Sequence, residues 1–223
     1  MAIETKNMLD KKFVKVGARQ EHDEILTEVE KIHGPLPDLE VADIVFIRHK
    51  KNWKRRLLRK VTNSYWDHTA MVLFDRDNDR GYPENLIIES YYGGVRVHKI
   101  RRYMDNAKKY DIGIKRVPWL TDELKDRIRA FMLLNVDAPY YPYSFWKLLF
   151  SRISEPFSRY LLGRQRYSCS GFVQKSYYEG VDWLDRYKVV FTKEYISPLQ
   201  FQDTISPGEI ARSKKSNWIY NEQ

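Results

Sequence analysis

The chemistry most open to this sequence runs through one cysteine, Cys169, and five histidines. A thiol can become a nucleophile near neutral pH, and an imidazole can take its proton. Cys169 lies in RYSCSGFVQKSYYEG, where small Ser168, Ser170 and Gly171 precede a helical pattern. Phe172, Val173 and Tyr177 share one face of that pattern, which predicts a helix from about Ser168 to Glu179, stopped by Gly180. The sulfur then sits at a helix N-terminus, where unpaired N–H groups and the macrodipole favour a thiolate and can donate to an oxyanion. A lone cysteine also fits a buried structural thiol. The sulfur alone does not make an enzyme.

A base must be found among the histidines. His22 and His33 belong to a charged helix or its end, His49 sits in a basic run, and His98 is flanked by charged residues on a strand. His68 differs because it opens the most apolar strand of the sequence, HTAMVLF. A strand end holds a side chain rigidly while its ring meets a cleft, although a satisfied rim histidine suits the same place. A third group is needed to fix the ring tautomer. Glu89, closing the apolar run Leu86-Ile87-Ile88, is the best candidate. Asp67 competes, but a neighbour of His68 on a strand points to the opposite face.

The elements that would position these groups read as an α+β arrangement. Residues 1–37 form a polar leader and one helix, with Ile25, Leu26, Val29 and Ile32 at helical spacing before Gly34-Pro35. Residues 38–223 are expected to form the catalytic domain. Strands are predicted at Glu40–Arg48, His68–Phe74, Leu86–Glu89 and Ile112–Val117, with a hairpin through Gly93-Gly94 into Val95–His98. Trp53, Leu57, Leu58 and Val61 are spaced as the inner face of a short helix within the basic run from Arg48 to Lys60. A helix is predicted from Thr121 to before Asp137, and an aromatic segment follows from Tyr140 to Phe150.

Composition limits the setting. The 223 residues are 43% hydrophobic and 31% charged, with no apolar run near the roughly 20 residues that span a bilayer. One cysteine excludes an intramolecular disulfide, no cluster has zinc-ligand spacing, and no metal or organic cofactor is implied. The N-terminus lacks the apolar stretch of a secretory signal, so a cytoplasmic address is expected. The net charge of +9 favours an anionic partner. The basic run, and Phe145–Phe157 with Lys147, Arg152 and Arg159 around it, suit peripheral contact with an anionic membrane. Core packing of Trp146, Leu149, Phe150 and Ile153 with solvated charges is the plainer reading of the second segment. No motif of a known nucleic-acid fold is present.

The run Cys169-Ser170-Gly171-Phe172-Val173 resembles the nucleophile motif of NlpC-type papain-like peptidases. Here the histidine precedes the cysteine by about a hundred residues, an order that resembles the circularly permuted YiiX/YaeF group, distantly related to lecithin–retinol acyltransferase-like enzymes. Ala42-Asp43-Ile44-Val45-Phe46 is similar to the family's Gly-Asp-apolar strand, with Ala42 in place of glycine. Tyr65 to Val72 is similar to the family's histidine strand, and Glu89 with Gly94-Val95 to its third polar residue and following hairpin. Ala138-Pro139-Tyr140 resembles a Lys-Pro-Tyr element whose tyrosine lines the oxyanion site, with Tyr141 as a competing alignment. Ser206-Pro207-Gly208-Glu209-Ile210 resembles the closing segment.

The resemblance covers roughly residues 38–212. It implies a permuted papain-like fold, a small antiparallel sheet or barrel packed against helices. It also implies a cysteine hydrolase that cleaves an amide or ester through a thioester. Cys169 would be the nucleophile, His68 the base, Glu89 the orienting group and Tyr140 an oxyanion donor. The substrate would be a peptide, lipopeptide or lipid. An acyltransferase or phospholipase of the lecithin–retinol acyltransferase kind, and a non-catalytic protein binding anionic membranes, are the alternatives.

Overall fold

The computed structural model describes residues 37–75, 85–139, 167–191 and 205–222. The expected leader and helix within 1–36, Tyr140, and the aromatic basic segment 145–159 lie outside the described residues. Strand β1 (Ile44–His49) leads to helix α1 (Trp53–Thr62), then β2 (His68–Phe74), β3 (Leu86–Tyr91) and β4 (Gly94–Lys99). The short helix α2 (Arg101–Met104), β5 (Tyr110–Arg116) and helix α3 (Asp122–Leu134) follow. Helix α4 (Cys169–Gly180), a 3₁₀ turn at Trp183–Lys188, helix α5 (Pro207–Arg212) and β6 (Asn217–Asn221) complete the order.

The strands form one antiparallel sheet in the order β4-β3-β2-β1-β5-β6. It is open, so the sheet form of the expected architecture holds and the barrel form does not. Both faces are covered. Ile44, Phe46, Met71, Leu73 and Ile88 pack beneath α3 and α4. Val45, Ile47, Ala70, Val72 and Ile87 face the other way, against Ile100 and Tyr103. Burial of both faces explains why β2 reads as a continuous apolar run rather than an alternating one.

Local chemistry sets the helix starts. Thr121 caps α3 by accepting from the Leu124 N–H, and Ser168 caps α4 by accepting from the Gly171 N–H at 3.0 Å. Ser206 and Glu209 form a reciprocal capping box on α5, with Pro207 in its first turn. Gly180 is the last residue of α4. A Cβ there would stand 2.2 Å from the Ile128 side chain, so it serves the close approach of α4 to α3 as well as the helix end. Gly93 and Gly94 both have positive φ, as the β3–β4 hairpin requires.

Three expectations are corrected. The first strand begins at Ile44, not Glu40, because Ala42 adopts a left-handed φ of 73° and turns the chain before it. Asp43 there receives a bidentate Arg116 guanidinium at 2.8 and 2.7 Å. Helix α1 departs from its apolar spacing at two positions: Trp53 is 71% and Leu57 41% exposed, while Leu58 turns inward as expected, together with Arg55 and Arg59. Buried Asp67 lies beneath that face and takes Arg59 as an ion-pair partner, so charge rather than apolarity orients the helix. Finally, β6 was not expected; its three central residues are only half buried, and it finds its pairing with β5 through the fold.

Candidate functional site

His68 is the first residue of β2, paired with Ile47 of β1. The β2–β3 register places Met71 opposite Ile88, and continuing it sets Glu89 opposite Ala70, diagonal to His68 on the same face. His68 Nε2 and Glu89 Oε2 lie 2.6 Å apart, both fully buried. The two residues are neighbours because the register makes them so.

Cys169 opens α4, and α4 packs on β2 and β3. That packing carries the helix N-terminus onto the start of β2. There the Cys169 sulfur lies beside the His68 ring and the Thr69 backbone N–H, near enough for both to favour its ionised form. With Nε2 engaged by Glu89, Nδ1 is the ring nitrogen left to face the sulfur. The first-turn N–H groups of Cys169 and Ser170 have no partner within the helix, since the Ser168 hydroxyl accepts from Gly171 and its carbonyl from Phe172.

The charges of this cluster settle one another. Burial opposes the charged imidazole, but the Cys169 thiolate and the Glu89 carboxylate outweigh it and raise the His68 pKa to about 9. Burial pushes the Cys169 thiol up, yet His68, then Arg55 and the Thr69 N–H, hold it down to about 7. Burial likewise opposes an ionised Glu89, but His68, Tyr103 and His98 lower it to about 2. The thiol therefore gives up its proton before the imidazolium does. An ion pair forms as pH rises through about 7 and persists until the imidazolium loses its proton.

Other side chains serve this cluster without having stood out in the sequence. Tyr103, on α2, donates its hydroxyl to Glu89 Oε2 at 2.7 Å. His98 Nε2 and Arg102 Nη1 lie 3.5 and 3.8 Å from Glu89 Oε1. Ser90 donates its hydroxyl to the Tyr167 carbonyl at 2.6 Å, tying the strand that carries Glu89 to the chain just before Cys169. A polar Ser90 beside Glu89 within an apolar strand was the available signal for that tie. Tyr103 had none, because a four-residue helix shows no periodicity.

Asp67 belongs elsewhere. Its carboxylate accepts from the His49 backbone N–H at 3.0 Å, meets His49 Nδ1 at 2.6 Å and pairs with Arg59. Tyr140 and its competitor Tyr141 lie outside the described residues. The preceding Pro139 carbonyl accepts from the Tyr167 N–H at 3.2 Å, so the chain is held beside the cysteine turn just before Tyr140.

Such an arrangement can hold a thiolate, deliver a proton from an adjacent imidazolium and offer backbone donors to a developing negative charge. Among the described residues no group of three or more His, Cys, Asp or Glu is placed to hold a metal ion. No helix among them is long and apolar enough to cross a membrane.

Comparison with known proteins agrees with the architecture. The crystal structure titled metalloprotein YiiX from Escherichia coli O157:H7, DUF1105, is similar in fold, with a TM-score of 0.55 and 15% identity. The match covers 82% of this chain and 97% of that one. No curated protein sequence matches the chain. A family model described as permuted papain-like amidase enzyme, YaeF/YiiX, C92 family, matches residues 38–220. The chain belongs to this family of permuted papain-like cysteine amidases.

Proposed function

We propose that Cys169, His68 and Glu89 are the catalytic residues of an amidase that works through a thioester. The observation that carries this reading is a buried imidazole held at 2.6 Å by a buried carboxylate, with the Cys169 sulfur at the start of α4 near enough for its pKa to be lowered by that imidazole. The Cys169 thiolate adds to the carbonyl carbon of an amide. The oxyanion is met by the Cys169 backbone N–H at the start of α4. The His68 imidazolium then protonates the leaving nitrogen, the C–N bond breaks and a thioester remains. Neutral His68 removes a proton from water as the water attacks that thioester. The acid leaves, and Cys169 returns as a thiolate beside a charged His68.

Tyr140 is proposed as the second oxyanion donor on the family resemblance, supported by the Pro139–Tyr167 bond that holds its neighbour near the cysteine turn. The acyl group would come from a peptide, lipopeptide or lipid, and a thiolate enzyme of this kind suits the reducing cytoplasm. The deciding test is intact-mass analysis during turnover of an acyl-amide panel. An adduct on Cys169 that hydroxylamine removes, and that is absent in Cys169→Ala and His68→Ala, is expected. Undiminished turnover by Cys169→Ala overturns the reading. Product that carries the acyl group on an added amine or alcohol, rather than as free acid, would make the enzyme a transferase.

A further inference from the structure

Helix α1 turns two arginines inward and a tryptophan and a leucine outward. Its inward side carries Arg55, which donates to the Asp67 carbonyl at 3.1 Å, and Arg59, which donates to the His49 carbonyl at 3.0 Å and pairs with Asp67. Its outward side carries Trp53, 71% exposed, and Leu57, one helical turn on and 41% exposed. At 3.6 residues per turn, Trp53, Leu57 and Lys60 fall on one narrow stripe, with Arg56 on one flank and Lys54 on the other. Lys54, Arg56 and Lys60 are exposed, and no Asp or Glu occurs between Arg48 and Lys60. Ion pairs of this stretch among the described residues include Arg48 and Lys50 with Asp111, and His49 and Arg59 with Asp67.

An exposed tryptophan and leucine ringed by cations match the interfacial region of a bilayer, where the rings enter the headgroup boundary and the cations meet phosphates. We propose that α1 docks this protein on an anionic phospholipid surface, with Trp53 and Leu57 inserted and Lys54, Arg56 and Lys60 on the headgroups. A nucleic-acid strand could use the same charges, but the apolar stripe running along the helix through Leu57 favours lipid. The placement has a consequence for the site. Arg55, on the inner side of α1, bears on the Cys169 thiolate and lies 5.6 Å from the centre of the Tyr91 ring, which is itself 5.4 Å from the His68 ring. Docking therefore places α1, with Arg55 on its inner side, between the lipid and the cluster around the sulfur.

Docking does not depend on catalysis, so it is measured on the full chain carrying Cys169→Ala. Co-sedimentation is compared on phosphatidylcholine vesicles with and without phosphatidylglycerol. Binding is expected only with the anionic lipid, weakening as salt rises. Trp53→Ala/Leu57→Ser and, separately, Lys54→Glu/Lys60→Glu are each expected to weaken it at least about tenfold. Thermal unfolding confirms that each variant is folded, and either one alone suffices if the other is not. No binding to anionic vesicles, or unchanged binding by a folded variant, overturns the proposal. So does binding of an oligonucleotide without binding of vesicles.

Discussion

The His68 imidazole and the Glu89 carboxylate meet at 2.6 Å between neighbouring strands β2 and β3, three residues from Met71 and one from Ile88 respectively, which pair with each other. A carboxylate in that position does two things for a cysteine nucleophile. It holds the ring so that Nδ1 faces Cys169, and it supports the positive charge the ring carries when the thiol ionises. The first consequence lies in pH dependence.

The Cys169 thiol is lowered to about 7 and His68 is raised to about 9. Alkylation of Cys169 by iodoacetamide should therefore rise through pH 7, well below the range of an ordinary thiol. The profile of kcat/KM should be bell-shaped, with its alkaline limb near pH 9, where the imidazolium that protonates the leaving nitrogen is lost. Both limbs belong to the coupled pair. Alkylation that begins only above pH 8 would contradict an ion pair at rest.

Glu89 and Asp67 can be told apart by paired substitutions. Glu89→Gln should shift the alkaline limb to lower pH and reduce kcat/KM by about 10²- to 10⁴-fold, by analogy with loss of the orienting acid in other triads. Asp67→Asn should leave the limb in place while destabilising the protein by about 3–5 kcal/mol, because it strands the buried Arg59 guanidinium. The pKa values of both carboxyls are lowered in the fold, so each contributes stability that is present above its unfolded value and is lost as pH falls through the folded one. The reverse pattern in the rate profiles would exchange their roles.

Ser90 is expected to act through position alone. Ser90→Ala leaves the Tyr167 carbonyl without its donor, at a cost of about 1–3 kcal/mol in stability. Because that carbonyl lies two residues before Cys169, kcat should fall more than KM rises, and the alkaline limb should stay near pH 9. Ser90→Thr should restore kcat if it restores the bond. An unchanged kcat in a folded Ser90→Ala protein would show that the tie does not position the sulfur.

Ala42 offers a gain. Its φ of 73° is left-handed, which costs a residue with a Cβ about 1–2 kcal/mol. Ala42→Gly should relieve that strain, and about 1 kcal/mol of it would raise Tm by about 2–4 °C in a chain of this size. Calorimetry on the two proteins decides it, and a lower Tm for the glycine variant would place the strain elsewhere.

Much of this was readable along the chain, for a local reason. The starts of α3 and α4 lie at Thr121 and Ser168 because a hydroxyl satisfies an N–H three residues later, a signal contained in four residues. β2 matches its apolar run from His68 to Phe74 because continuous burial on both faces demands it. The thiol, the imidazole and two competing carboxylates were likewise visible as residue types.

What joins them is not local. Strand register placed Glu89 rather than Asp67 against His68, and helix packing closed the distance of about a hundred residues between the ring and the sulfur. Tyr103 reached Glu89 from a helix too short to leave a periodic trace. Buried Asp67 drew Arg55 and Arg59 inward and turned Trp53 and Leu57 out, against the apolar pattern of α1. Sequence determined which groups were available and where helices start, since those depend on near neighbours. Tertiary structure decided which groups meet and which face looks outward, since those depend on partners that sequence distance does not reveal.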